Sequence, residues 1–259
     1  MVFSYFLPLF PHAMQASVAT LPEELSRSPE TANTSISVII PTRNEQDSIA
    51  AVIEHVRDSG VREVIVVDSG SSDETCRCAR AAGATVFESA PGRGTQQNLG
   101  AAEATGDVLL FLHADTRLPS DLLEQIDGVL SRKGVSAGAF RLGVDGSGRG
   151  LRWVENMANW RSLYCQLPYG DQAIFMKAET FRRAGGFAEI PLMEDFELMR
   201  RLRKLGRIEL ADATVRTSAR RWRQLGVFRA TWSNQLCILA YMLGISPHRI
   251  AAWRDARGN

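Results

Sequence analysis

Several features are scarce in this chain, and each absence excludes something. Only four of the 259 residues are cysteine (Cys76, Cys78, Cys165 and Cys237), and none forms a C-x-x-C pair. Without paired Cys/His ligand spacing, a zinc module is excluded and a reducing setting is expected rather than a disulfide framework. No G-x-G-x-x-G follows a strand-like run, which argues against a dinucleotide cofactor, and no P-loop sequence occurs. The apolar run Leu236–Ile245 falls well short of the roughly 20 residues a spanning helix needs. Val2 to Phe10 is apolar, but no Lys or Arg precedes it, so it does not read as a signal peptide. No internal repeat or low-complexity tract stands out.

Net charge is also low, at +1. It conceals an asymmetry: residues 1–195 hold 17 Lys/Arg and 25 Asp/Glu, whereas residues 196–259 hold 13 and 4. An acidic, cation-binding front and a basic tail that prefers anions follow from this split. Phospholipid, a phosphorylated acceptor or nucleic acid could each answer the tail, as could a merely solvated basic helix face.

Three apolar runs each end in a polar loop: Ser37–Ile40 before Pro41-Thr42-Arg43-Asn44-Glu45, Val64–Val67 before Asp68-Ser69-Gly70, and Val108–Leu112 before His113-Ala114-Asp115. Ligands of an open parallel α/β sheet bind beyond the carboxyl ends of its strands. Two of these ends deliver a carboxylate, Asp68 and Asp115, and none a glycine cradle. That combination suggests a metal-bridged nucleoside diphosphate.

Between the runs, Ile49, Val52, Ile53 and Val56 recur at helical spacing and Gly60 ends the helix. Thr42 with Glu45, and Ser71 with Glu74, read as capping boxes. A strand at 85–87, a helix from about Thr95 to Thr105 and another through Leu122–Leu130 follow. The first 130 residues thus alternate strand and helix, which predicts a parallel sheet with right-handed crossovers. Strands are also expected over 137–144 and 173–176, and a helix over 195–205. Residues 145–170, rich in glycine and aromatics, read as irregular.

The order I-P-T-R-N-E, V-D-S-G-S-S-D-E-T, G-R-G-x-x-x-N-x-G, F-L-H-A-D-T, G-G-F and M-E-D-F-E-L resembles the family 2 glycosyltransferases of the GT-A fold, over roughly residues 36–225. The resemblance implies an α/β fold with a mainly parallel central sheet flanked by helices. The organisation expected is a mobile extension over 1–34, the transferase domain over 35–225 and a helical basic tail over 226–259. The activity implied is inverting transfer of a sugar from a nucleotide-diphosphate sugar, UDP- or GDP-linked, to a hydroxyl or lipid-linked acceptor.

Roles follow position by position. Asp195 matches the family's general base, with Glu194 as an orienting neighbour. Asp115 matches the last acid of a D-x-D signature and would share Mn²⁺ or Mg²⁺ with the diphosphate. His113 stands where the first acid would be and is a second candidate ligand, since imidazole tolerates Mn²⁺. Pro41, Thr42, Arg43, Glu45, Asp68, Ser69, Arg93 and Asn98 are placed on the donor side. Asp171 and Gln172 are placed on the acceptor side, where Trp153, Trp160 and Tyr169 could stack or simply pack the core. Arg221-Trp222 ends a Q-x-x-R-W-like segment in which Ser218 replaces the Gln, so single addition is expected rather than polymer synthesis.

The non-enzymatic alternative is a nucleotide-sugar-binding or scaffolding relative, favoured by His113 in place of an acid. A sugar-phosphate nucleotidyltransferase would carry glycines after the first strand, which are absent. Nucleic acid is not expected as a partner. The chain reads as cytoplasmic, with peripheral contact at the inner face of the membrane through its basic C-terminal region.

Overall fold

The computed structural model describes residues 34–256, without the side chains of Arg221 and Phe228. The extension expected over 1–34 therefore lies outside the described residues, Thr34 apart. The chain runs β1 (Ile36–Thr42), α1 (Ile49–Asp58), β2 (Glu63–Asp68), α2 (Thr75–Ala81), β3 (Thr85–Glu88), α3 (Arg93–Glu103) and β4 (Val108–Phe111). Next come β5 (Thr116–Arg117), α4 (Leu122–Leu130), β6 (Val135–Asp145), α5 (Arg149–Cys165), a 3-10 turn (Gly170–Gln172), β7 (Ile174–Lys177) and α6 (Ala178–Ala184). The chain ends with α7 (Glu194–Leu205), β8 (Arg207–Ser218), α8 (Arg220–Leu225), α9 (Val227–Met242) and α10 (Pro247–Asp255).

The strands form one sheet in the order β3-β2-β1-β4-β7-β6-β8-β5. β1 pairs in parallel with both β2 and β4, Val38 lying opposite Val64 and Leu110. Beyond β4 the sheet is mixed: β7 is antiparallel to β4 and β6, and β8 is parallel to β6. The parallel expectation thus holds for the first half only.

Alternation along the strands feeds two cores. Val38, Ile40, Val66 and Leu110 pack with Ile49, Ile53 and Val56 of α1 and Ile126 of α4. Ile39, Leu109 and Phe111 pack on the other side with Phe181, Leu198 and Leu202 of α6 and α7. Each such fully buried side chain contributes about 1.5–3 kcal/mol. Gly100 lets α3 lie close over β1, because a Cβ there would meet Ile39 Cγ2 at 2.5 Å.

Local readings need correction. β1 does not stop at Ile40 but continues through Pro41 to Thr42. Pro41 is tolerated because the ladder to β4 has already ended, with Leu112 N–H on Ile39 O. Neither capping box forms: α1 starts from Ser48 and α2 from Glu74. Thr42 Oγ1 and Ser71 Oγ instead donate to Asp68 Oδ1, at 3.2 and 2.5 Å. Residues 149–165, read as irregular, are a long helix, and β8 was not anticipated. No helix among the described residues is long and apolar enough to cross a membrane.

Candidate active site

Strand order departs in opposite directions from β1 and β4, and ligands of open α/β sheets bind at such switch points. A cavity of about 460 Å³ opens there, lined by Pro41 and Thr42 of β1 and by His113 to Asp115 after β4. Arg93 and Gln96 of α3, Tyr169 to Asp171 of the 3-10 turn, and Leu192 to Phe196 at the start of α7 add to the lining. Thr217 and Ser218 of β8, Trp222 of α8, and Ala230, Asn234 and Ile238 of α9 also line it.

The acids at the head of α7 are tightly held. Met193, just before them, adopts a left-handed backbone with φ 73°, a conformation a non-glycine residue holds only under constraint. Asp195 Oδ2 accepts the Gly170 N–H at 2.9 Å. Asp195 Oδ1 is buried without a hydrogen-bond partner, as are Asp171 Oδ1 and His113 Nε2. Burial raises the pKa of Asp195, against the pull of Arg93. Glu194 is raised by burial and by Asp195, and its Oε1 lies 3.9 Å from Arg93 Nη1. Burial likewise raises Asp171. Burial, then Arg93, lowers His113 to about 3, so the imidazole is neutral at ordinary pH.

Gly170 is where these groups converge. A Cβ there would sit 2.8 Å from both Asp195 Oδ2 and His113 Nε2. The turn carrying it is anchored from behind. Gln172, fully buried, donates to Phe140 O at 3.1 Å and accepts from Ser162 Oγ at 2.6 Å. Arg161 stacks 3.6 Å above the Tyr169 ring, a favourable contact for a guanidinium.

Across the cavity, burial raises the pKa of Asp115, and Glu45 raises it further while Arg220 opposes. Arg220 Nη2 donates to Glu45 Oε1 at 2.7 Å, and Thr217 Oγ1 donates to Asp115 Oδ1 at 3.4 Å. No group of three or more His, Cys, Asp and Glu among the described residues forms a complete metal cage. A hard cation needs only one or two carboxylates when phosphate oxygens and water supply the rest. Asp115, half-buried and repelled by a second carboxylate, suits that partial role.

The other expected site residues divide. Arg43, Glu45 and Asp171 line the cavity with those already named. Asp68 and Ser69 do not: Asp68 Oδ2 accepts from Gly70 N–H and Ser71 N–H at 3.0 and 2.7 Å, so its carboxylate organises its own loop. Asn98 clamps the Phe187 backbone, accepting its N–H at 2.8 Å and donating to its carbonyl at 3.0 Å. Gln172 is likewise structural. Trp153 and Trp160 are neither core nor cavity but exposed. The Arg221 side chain lies outside the described residues. Gln96, Arg220, Asn234 and Ile238 were missed. Gln96 Nε2 reaches Thr42 O and Val67 O at 2.9 and 2.8 Å, a long-range contact no local motif announces.

The chain is 38% identical over 96 residues to glucosyl-3-phosphoglycerate synthase of Mycolicibacterium smegmatis, covering 32% of each chain. It is 35% identical over 96 residues to 4,4'-diaponeurosporenoate glycosyltransferase of Staphylococcus haemolyticus, covering 34% of this chain and 26% of that one. The matches thus span between about a quarter and a third of these relatives' length. A solved glucosyl-3-phosphoglycerate synthase from Mycobacterium tuberculosis, in complex with Mn²⁺, UDP and glucosyl-3-phosphoglycerate, aligns with a TM-score of 0.55 at 25% identity over 71% of each chain. S. aureus TarS shares the fold, with a TM-score of 0.56 at 19% identity over 71% of this chain and 60% of that one. The Glycosyl transferase family 2 profile matches residues 37–189, more than half of the sequence, and the chain belongs to that family.

Proposed function

We propose that the chain transfers a sugar from a nucleoside diphosphate sugar to an acceptor hydroxyl, with inversion and with Asp195 as general base. The observation that carries this is Asp195 itself, aimed by the Gly170 N–H, with its second oxygen unpartnered and its pKa raised by burial. A carboxylate shifted toward neutrality is a better proton acceptor at working pH than an ordinary one. Glu194 and Arg93 keep it company electrostatically. His113 Nε2 shares the Gly170 niche, where a neutral imidazole can hydrogen-bond a substrate hydroxyl or act as a second ligand to the cation beside Asp115.

Arg43, Arg93 and Arg220 line the same cavity and suit an anionic donor, and equally a phosphorylated or lipid-linked acceptor. UDP is the favoured nucleotide, because the solved relative is described with UDP and Mn²⁺. Asp115, assisted by Glu45, would hold a divalent cation. When bound, that ion would neutralise charge on the departing diphosphate. Residues 35–225 carry this machinery, and α9 borders the acceptor side.

Calorimetric titration of UDP and GDP, with and without Mn²⁺, tests the reading on wild type, Asp115→Ala and Asp195→Asn. Metal-dependent UDP binding lost only in Asp115→Ala, with sugar transfer lost in both, is expected. Binding without transfer to any acceptor or to water would favour the non-catalytic alternative, and no binding at all would remove the donor assignment.

A further inference from the structure

Exposed apolar side chains on this protein are not scattered. All but Leu205 of the large ones among the described residues sit on α5, on α9 or in the turn after α9. Leu151, Val154 and Ala158 turn α5 toward the body. Trp153, Met157, Trp160 and Tyr164 recur every three or four residues on its opposite side, Trp160 being 55% and Tyr164 68% exposed. In α9, Ala230, Asn234 and Ile238 border the cavity, while Trp232 and Leu239 are exposed, Trp232 at 67%, and Leu243 follows in the turn, exposed as well. Surface helices normally turn polar residues outward. Single exposed apolar residues need no explanation, but two such stripes do.

The stripes lie on neighbouring helices, since Val227 at the start of α9 packs with Leu151 and against Gly150 of α5. Between α9 and α10 runs an apolar groove of about 380 Å³, lined by Leu236, Ile245, Ile250 and Trp253 with Arg249 among them. The surrounding charge has one sign. Arg149 and Arg152 of α5, Arg229 of α9, Arg249 of α10 and Arg223 of the adjoining α8 are exposed, against one exposed acid on these four helices, Asp255. Glu155, the one acid of α5, is buried and paired with Arg152.

We propose that α5 and the α9–α10 hairpin dock on an anionic lipid surface, with the tryptophan-bearing stripes in the interface and the arginines at the headgroups. Aromatic and aliphatic side chains beside arginines match the chemistry of an interfacial helix. A second copy of the chain fits less well, because a self-complementary contact would bring two basic surfaces together. Docking would bring the cavity, which α9 also lines, close to the lipid. The inference is independent of the catalytic reading.

Co-sedimentation of the full chain with phosphatidylcholine vesicles, with and without phosphatidylglycerol, tests it. Binding that requires the anionic lipid and weakens with salt is expected. The Trp160→Ser/Leu239→Ser double variant should partition about tenfold less, and Arg149→Glu/Arg249→Glu should lose the lipid selectivity while melting like wild type. Asp115→Ala should still bind vesicles, which separates this docking from nucleotide binding. Absence of vesicle binding at low salt, or binding unchanged in both double variants, would overturn the proposal. So would a wild-type dimer that dissociates in Trp160→Ser/Leu239→Ser, which would assign the face to a second copy.

Discussion

Adding one methyl group at Gly170 probes the centre of the proposed chemistry without touching a charged residue. The alanine Cβ would lie 2.8 Å from Asp195 Oδ2 and from His113 Nε2, where ordinary contact begins at 3.4 Å. Both groups would have to retreat by roughly half an ångström, and the 2.9 Å bond from Gly170 N–H to Asp195 would bend or lengthen. Misplacement on the scale of 1 Å costs about 100-fold in rate, so Gly170→Ala should lower kcat between about 10- and 100-fold. Overpacking should cost about 1–3 kcal/mol, which lowers the melting temperature by a few degrees in a domain of this size. UDP affinity should change less than about threefold, because the nearest neighbours of the added methyl are Asp195 and His113 and include none of Asp115, Glu45 and Arg220. The assay pairs nucleotide release from a sugar nucleotide with calorimetry and a thermal melt. An unchanged kcat would refute Asp195 as a base aimed by Gly170. An equal loss of nucleotide affinity would mean that the whole cavity had collapsed.

The other expectations are shorter. Asp195→Asn should reduce transfer about 100- to 10,000-fold while leaving UDP binding intact, as read by product formation beside calorimetry. Asp115→Ala should abolish the Mn²⁺-dependent part of UDP binding, and adding Mn²⁺ should then leave the binding isotherm unchanged. Asn98→Ala removes two hydrogen bonds to the Phe187 backbone, so it should cost about 2 kcal/mol in denaturant unfolding without altering nucleotide affinity directly. Asp171→Asn should stabilise the protein in a pH-dependent way. Burial raises the folded-state pKa of Asp171, so the folded chain binds its proton more tightly than the unfolded one. The stability this group contributes is present in acid and lost as pH rises through the raised value. The variant should therefore melt higher than wild type at about pH 8 and show no gain at about pH 4; a constant gain across pH would disprove the assignment.

Much of the first half was legible because its signals are local. Ile49, Val52, Ile53 and Val56 announce α1, and each buried strand ends at a polar loop. The errors came where one residue type serves two physical ends. Thr42 and Ser71 sit three residues before acids, yet their hydroxyls serve Asp68, because the loops leaving β1 and β2 tie to one another before either helix begins. Asp68, Asn98 and Gln172 are polar residues near a crevice, and the structure gives each of them partners within the protein: the 68–71 loop and Thr42 for Asp68, the Phe187 backbone for Asn98, and Phe140 O with Ser162 for Gln172. Sequence order cannot tell a carboxylate aimed at a ligand from one aimed at its own turn. α5 was missed because its outward face is apolar and aromatic, which erases the amphipathic contrast that marks a surface helix. β8 was missed because its burial alternates with charge, as in Arg207, Glu209, Asp212 and Arg216. Motif order, rather than local periodicity, singled out Asp115, Asp195, Arg93 and Glu45, and the fold brings these four to one cavity.

The distribution of unsatisfied atoms points the same way as the motifs. Six buried side-chain polar atoms among the described residues lack a hydrogen-bond partner, and three of them belong to His113, Asp171 and Asp195. Each such atom costs about 1–3 kcal/mol relative to a paired one. Met193, strained at φ 73° immediately before the paired acids, adds a further cost on the order of 1–3 kcal/mol. A chain selected for stability alone would not gather these penalties along one cavity, since an asparagine at 171 or 195 would relieve the burial of charge. The framework around them is closely satisfied: Gln172, Gln96 and Asn98 each make two or more hydrogen bonds to backbone or side-chain groups. The rigid, well-paired surroundings hold the unpaired groups in place, where hydroxyl donors from water or a substrate would satisfy the two carboxylate oxygens.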